Sequence, residues 1–192
     1  FARMVSQHLP AGHGLFLSNS MPVRDMNEFA AQDCDVHPVG TNRGASGIDG
    51  IIASATGYAR GLKKPVTAVI GDVAFLHDLN SLNLMRNAAY PITLICINNN
   101  GGGIFSRLPI AKFDDVFETY FTTPHNLSFE HAARMFNLNW AQPRTKEELH
   151  HELKSAWSSE ESSVIEIKTS PQGDARLRME LKNLLKMGVA SS

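Results

Sequence analysis

Two uninterrupted apolar runs constrain this chain more than any other feature. They are Val66-Thr67-Ala68-Val69-Ile70 and Ile92-Thr93-Leu94-Ile95-Cys96-Ile97. A strand with one wet face alternates polar and apolar residues. A continuous run suits a parallel strand covered on both faces. Between them, Leu79, Leu82 and Met85 follow a helical pattern, so the segment reads as a strand–helix–strand crossover. The alternation extends in both directions. Leu15-Phe16-Leu17 reads as a short strand, and Ser20 is placed to cap a helix with Pro22 in its first turn. Residues 36–39 read as a weaker strand. Ile48, Ile51, Ile52, Ala55, Ala59 and Leu62 have helical spacing, which Pro65 stops. Further on, Ser128 precedes a helix reaching about Phe136, and residues 138–141 read as a strand. Thr145 with Glu148 forms a capping box opening a helix to Trp157. Val164-Ile165-Glu166-Ile167 reads as the last strand and residues 175–187 as the last helix. The expectation is an α/β fold: a doubly wound, mostly parallel six-stranded sheet with helices on both faces.

A chain of 192 residues with 43% hydrophobic and 19% charged residues suits one globular domain spanning 1–192. Eighteen Lys and Arg against nineteen Asp and Glu leave a net charge of -1, which argues against nucleic acid as a partner. No apolar run approaches the roughly 18–20 residues that span a bilayer. The two cysteines, Cys34 and Cys96, form no Cys-x-x-Cys pair, so neither a structural zinc nor a disulfide framework is expected. Cys96 lies within an apolar run and reads as a buried free thiol, which favours a reducing, cytoplasmic setting. The chain opens at Phe1 in mid-pattern, with Met4, Val5 and Leu9 at helical spacing before Pro10. This reads as a fragment or one domain of a longer polypeptide.

In an open parallel sheet, ligands bind beyond the carboxyl ends of the strands. Four polar loops follow predicted strands: Ser18-Asn19-Ser20, Gly40-Thr41-Asn42-Arg43-Gly44, Gly71-Asp72, and Asn98-Asn99-Asn100-Gly101-Gly102-Gly103. Asp72 and Asn99 are 27 residues apart, one crossover, so adjacent strands would bring both to a single ion. A carboxylate and an amide oxygen are hard donors, and Mg²⁺ takes octahedral oxygen ligands. Two side chains and a backbone carbonyl leave room for waters and ligand phosphates. The glycines at 101–103 would let a diphosphate approach the backbone. Taken singly, Asp72 suits a helix cap and the asparagine run suits a turn. Together, each behind a buried strand, they favour a metal–diphosphate site. The irregular stretch from Gly101 to His125 is expected to carry functional loops.

Gly71-Asp72 followed by Asn99 resembles the signature of thiamine-diphosphate enzymes. Three further runs sharpen the resemblance: Asn42-Arg43-Gly44-Ala45-Ser46-Gly47-Ile48-Asp49-Gly50, Phe75-Leu76-His77-Asp78-Leu79-Asn80, and Asn99-Asn100-Gly101-Gly102-Gly103-Ile104-Phe105-Ser106. They are similar to the 2-succinyl-5-enolpyruvyl-6-hydroxy-3-cyclohexene-1-carboxylate synthases of menaquinone biosynthesis, over residues 12–168. The resemblance implies the thiamine-diphosphate-binding fold and the C-terminal domain of such an enzyme. It implies a thiamine-diphosphate-dependent decarboxylation of 2-oxoglutarate, with addition of the succinyl unit to isochorismate. By the same resemblance, Asp72, Asn99 and the Gly101 carbonyl would hold Mg²⁺ or Mn²⁺. Ile48, Gly71, Val73, Ala74, Gly102 and Ile104 would join them around the cofactor, with Ile48 propping it in its bent form. Ser20, Arg24, Arg43, Phe105 and Leu108 would contact substrate. Arg suits multiply anionic substrates because its planar fork matches carboxylates.

The sequence departs from the pattern at Val73, where the superfamily often has Gly, and at Ala74, where Ser is expected. Only backbone amides should matter there. No activating Glu for the aminopyrimidine ring is found, so no catalytic residue is assigned in this chain. The resemblance places that Glu in a pyrimidine-binding domain across a dimer interface, in a homodimer or homotetramer. It also allows a plastid location if the source is a plant. Rivals outside the superfamily lack their motifs. Gly44, Gly47 and Gly50 do not form Gly-x-Gly-x-x-Gly, and neither His-Glu-x-x-His nor Gly-x-Ser-x-Gly occurs. Two alternatives stay open: another thiamine-diphosphate-dependent 2-oxoacid decarboxylase or synthase, of the acetolactate synthase type, and a non-catalytic degenerate domain.

Overall fold

The computed structural model describes residues 1–35 and 37–170, with residues 173, 177, 180 and 181. In chain order the elements are α1 (Ala2–His8), β1 (Gly14–Leu17), α2 (Met21–Phe29), β2 (Val39–Thr41), α3 (Ile51–Leu62), β3 (Val66–Gly71), α4 (Asp72–His77), α5 (Leu82–Arg86) and β4 (Ile92–Asn98). Two 3-10 turns (Gly103–Arg107 and Pro109–Lys112), α6 (Asp114–Phe117) and a π turn (Glu118–Thr122) follow. The chain then forms α7 (Glu130–Met135), β5 (Asn139–Ala141), α8 (Lys146–Trp157) and β6 (Ser163–Lys168).

Among the described residues, six strands form one sheet in the order β2-β1-β3-β4-β6-β5, and every pairing is parallel. The chain leaves β1 outward to β2, then crosses back to β3 on the other side. That reversal opens a crevice beyond the ends of β1 and β3, where this topology places ligands.

The continuous apolar runs are explained by two separate cores. Ala68, Ile70, Leu94 and Cys96 face α3, α4, α5 and α7, against Ile51, Ile52, Phe75, Leu82 and Phe129. The alternate residues Val69 and Ile95 face α1, α2 and α8, against Val5, Met26, Leu149 and Leu153. Each fully buried Ile or Leu contributes about 1.5–3 kcal/mol by leaving water. Thr67, polar within a buried strand, is satisfied by the Trp157 indole N–H at 2.8 Å.

Several boundaries differ from the sequence reading. The helix expected from Ile48 begins at Ile51, because Gly50 takes a left-handed φ of 64° at its N-cap. Glycine offers no capping oxygen, and Asp78 supplies one from elsewhere. Its Oδ2 accepts the N–H groups of Ile52 at 2.6 Å and Ala53 at 3.0 Å. Those are orphan donors of the first turn of α3. The same need breaks the expected helix after Asp72 into α4, a 3-10 turn at Leu79–Ser81 and α5. Ser20 precedes α2 but makes no side-chain cap. Thr145 does cap α8, accepting the Glu148 N–H at 3.1 Å, whereas the Glu148 carboxylate reaches Arg144 N–H at 2.7 Å. The weaker strand lies at Val39–Thr41, not 36–39, and Val36 is outside the described residues. So is the expected 175–187 helix, apart from helical residues 177, 180 and 181.

Candidate functional site

Parallel pairing of β3 with β4 sets Gly71 opposite Ile97. Asp72 and Asn99 therefore leave the sheet side by side. With the β1–α2 turn they line a cleft of about 140 Å³. Its walls include Asn19 and Ser20 from the first loop, Asp25 from α2, Ile48 from the approach to α3, residues 71–74, Asn99, and residues 101–105. Of the residues singled out in the sequence, Ser20, Ile48, Gly71, Asp72, Val73, Ala74, Asn99, Gly101, Gly102, Ile104 and Phe105 are thus brought together. Arg24, Arg43 and Leu108 do not line the cleft and are exposed. Arg24 does not project beside a Ser20 hydroxyl, because its guanidinium donates back to the Ser20 carbonyl.

Asp72 is 2% exposed and each oxygen has a defined role. Oδ1 accepts the Val73 N–H at 2.8 Å, and Oδ2 accepts the Gly101 N–H at 2.8 Å. One end of the Asn99 side-chain amide meets three oxygens, the Gly101 carbonyl at 2.8 Å and both Asp72 carboxylate oxygens at 3.2 Å, and it donates to all three when its nitrogen is turned inward. Acceptors repel at such distances unless the amide turns its nitrogen inward or a cation lies between them. Mg²⁺ binds oxygen at about 2.1 Å in an octahedron, so adjacent ligand oxygens stand about 3.0 Å apart. The three donors have the chemistry and the spacing that a hard divalent cation requires.

The glycines at 101–103 line the cleft, and the Cβ positions they leave vacant are also filled by the chain itself. An added Cβ on Gly101, at φ 134°, would strike the Thr122 carbonyl. One on Gly102 would strike the Phe121 carbonyl, and one on Gly103 the Asn99 amide. The absent side chains let residues 118–123 fold down onto the loop, sealed by Gly102 N–H donating to the Thr122 carbonyl at 2.7 Å.

Three residues, Asn19, His125 and Glu166, escaped the sequence reading as site residues. Asn19 is 2% exposed, and its Nδ2 donates to the carbonyls of Asn42 at 3.1 Å and Gly47. It ties the Arg43 loop to the cleft floor, and its Oδ1 has no partner. Ser20 was singled out, but not its backbone, which holds φ 69°, a conformation costly for a residue with a Cβ. His125 contacts Asp72 Oδ2 through Nε2 at 3.1 Å. Glu166 is fully buried in β6 and accepts from Asn98 Nδ2 at 2.7 Å, Ser128 Oγ and Phe129 N–H at 3.1 Å, and Trp140 Nε1 at 3.3 Å. Asn98 and Glu166 anchor the metal loop from below. A lone His in a loop and a Glu within a strand carry no local signal of these partners.

Residues 36–167 match the family described as "Thiamine pyrophosphate enzyme, C-terminal TPP binding domain". The chain is 51% identical over 183 residues to a 2-succinyl-5-enolpyruvyl-6-hydroxy-3-cyclohexene-1-carboxylate synthase of Chlorobium phaeovibrioides, covering 94% of this chain and 31% of that protein. It is 47% identical over 180 residues to the synthase of Rubrobacter xylanophilus, covering 94% and 31%. The chain thus spans about a third of the length of these curated relatives. Benzoylformate decarboxylase from Polynucleobacter necessarius shares the fold, with TM-score 0.76 and 16% identity over 88% of this chain and 32% of that one. Among the described residues, no helix is long and apolar enough to cross a membrane. With the family match covering most of its length and the oxygen donors gathered beyond β3 and β4, the chain belongs to the thiamine pyrophosphate enzymes, as their C-terminal TPP-binding domain.

Proposed function

We propose that residues 1–192 form one domain of a longer enzyme that decarboxylates 2-oxoglutarate and joins the succinyl unit to isochorismate in menaquinone biosynthesis. The observation that carries this reading is the convergence of the Asp72 carboxylate, the Asn99 side-chain amide and the Gly101 carbonyl at 2.8–3.2 Å, in a chain half identical to synthases of that name. In this reading Asp72, Asn99 and the Gly101 carbonyl would hold Mg²⁺ or Mn²⁺, whose charge would offset that of the diphosphate. When bound, thiamine diphosphate supplies the carbon nucleophile and electron sink that let a 2-oxoacid lose CO₂ and its acyl unit join an acceptor.

The chain's own residues bind, orient and exclude water. Val73, Ala74 and Gly102 present backbone to the diphosphate. Ile48 packs on the inner core and also faces the cleft, a rigid prop for the bent cofactor. Ile104 and Phe105 form an apolar wall that keeps water from the reacting carbon. Ser20, Arg24, Arg43 and Leu108 stand at or beyond the cleft mouth, where carboxylates of two anionic substrates would be received. The activating carboxylate comes from a pyrimidine-binding domain of a second subunit, in a homodimer or homotetramer. Leu108, Phe113 and Tyr120, in the segment that follows the glycine loop, are 49%, 58% and 72% exposed, apolar surface suited to that contact. The free Cys34 and fully buried free Cys96 suit a reducing, cytoplasmic setting.

The test is loss of isochorismate by the full-length protein supplied with 2-oxoglutarate, thiamine diphosphate and Mg²⁺. The reading expects loss only when all three are present, and none in Asp72→Ala. Release of CO₂ from a different 2-oxoacid, with isochorismate untouched, would move the chain to an acetolactate synthase type. Absence of both turnover and cofactor binding would leave a non-catalytic domain.

A further inference from the structure

We infer that His125 is a positioning residue that aims the Asp72 carboxylate at the metal, an assignment that rests on the metal–diphosphate reading above. The direction of its hydrogen bonds is fixed by its neighbours. His125 Nδ1 accepts the Leu127 N–H at 3.0 Å, so the ring proton sits on Nε2. Nε2 therefore donates to Asp72 Oδ2 at 3.1 Å, in a contact where the two side chains are 10% and 3% exposed. With the Gly101 N–H also on Oδ2, that oxygen is occupied from two sides. Oδ1 takes the adjacent Val73 N–H and stands 3.2 Å from the Asn99 side-chain amide, with no loop N–H or imidazole on it. The imidazole thus sets the carboxylate's rotation and selects the oxygen that meets the cation.

The ring is itself held by the loop that carries the other donors. Asn100 Oδ1 accepts the N–H groups of His125 at 3.2 Å and Asn126 at 2.6 Å, and Asn100 Nδ2 donates to Asn126 Oδ1 at 2.9 Å. Asn98 Nδ2 donates to the Leu127 carbonyl at 3.1 Å, and the ring lies 6.0 Å, centroid to centroid, from Phe129. Left-handed φ values at Thr123 and Asn126, 46° and 53°, bend the chain so that the imidazole returns to Asp72. Partners that orient a metal ligand typically govern affinity by roughly 10–100-fold.

Two variants of the full-length protein separate positioning from packing. His125→Phe keeps a ring against Phe129 and loses the donor; His125→Gln loses the ring and keeps an N–H that can reach Asp72. The measurement is the dissociation constant of Mn²⁺ at saturating thiamine diphosphate, from the free-ion electron paramagnetic resonance signal. Circular dichroism serves as the check on folding. The inference expects His125→Phe to weaken Mn²⁺ by roughly 10–100-fold and His125→Gln to recover most of that loss. Unchanged affinity in His125→Phe, or Gln as weak as Phe, would overturn it. If the unaltered protein itself takes up no Mn²⁺, the metal–diphosphate reading fails, and this inference with it.

Discussion

Replacing Gly101 by alanine should be far costlier than the size of one methyl suggests. The residue sits at φ 134°, a conformation that costs an L-amino acid about 1–3 kcal/mol. Its new Cβ would collide with the Thr122 carbonyl, so residues 118–123 must withdraw. Withdrawal breaks the 2.7 Å bond from Gly102 N–H to Thr122, worth about 1 kcal/mol. Alanine recovers about 0.4–1 kcal/mol by restricting the unfolded chain. The net expectation is a loss of about 2–3 kcal/mol. Gly57 provides the contrast. It lies in α3 with nothing within 4 Å of an added Cβ, so Gly57→Ala should gain about 0.5–1 kcal/mol. Urea unfolding of the 192-residue chain, with midpoints compared at a common slope, reads both signs. A Gly101→Ala midpoint at or above that of the unaltered chain would refute the argument, as would two shifts in the same direction.

Glu166→Gln keeps the shape of a buried side chain that accepts four hydrogen bonds and turns an amino group toward donors. It should cost about 2–3 kcal/mol in the same unfolding measurement, and a negligible shift would contradict the anchoring role. Burial, and then His37, lower the His13 pKa from its ordinary 6.5. The unfolded chain then takes up a proton that the folded chain resists, so stability is full above pH 6.5 and falls as pH drops below it. His13→Gln should flatten that acid slope, and an unaltered slope would count against it. Burial pushes the Cys96 thiol well above its usual range, helped by the carboxylates of Asp72 and Glu166. A thiol reagent should therefore modify half-buried Cys34 in the folded protein and reach Cys96 only on unfolding.

What the sequence disclosed follows a physical pattern. Val66–Ile70 and Ile92–Ile97 could be read because burial on both faces leaves a local mark, an unbroken apolar run. The parallel pairing then fixed Asp72 beside Asn99 with no further information. What stayed hidden depends on partners distant in sequence. Asp78 looks like a residue inside a helix, yet it breaks that helix to cap α3, 25 and 26 residues away. The three glycines were legible as close-approach positions, but Gly101 and Gly102 are approached by the backbone of Thr122 and Phe121, which no local pattern predicts, and Gly103 by the Asn99 amide. His125 reaches Asp72 across 53 residues, through two left-handed turns whose residues, Thr123 and Asn126, are unremarkable in sequence. Arg24 is a further case: its guanidinium donates to the Ser20 carbonyl four residues back, a backbone partner that the identity of the two side chains does not reveal.

The most direct test of the metal–diphosphate site is a crystal structure of the full-length protein with Mn²⁺ and thiamine diphosphate, phased at the manganese edge. The account predicts one anomalous peak touching Asp72 Oδ1, the Asn99 amide oxygen and the Gly101 carbonyl, with His125 Nε2 still on Asp72 Oδ2. A peak elsewhere, or an Asn99 amide turned nitrogen-inward beside Asp72 with cofactor bound, would contradict it.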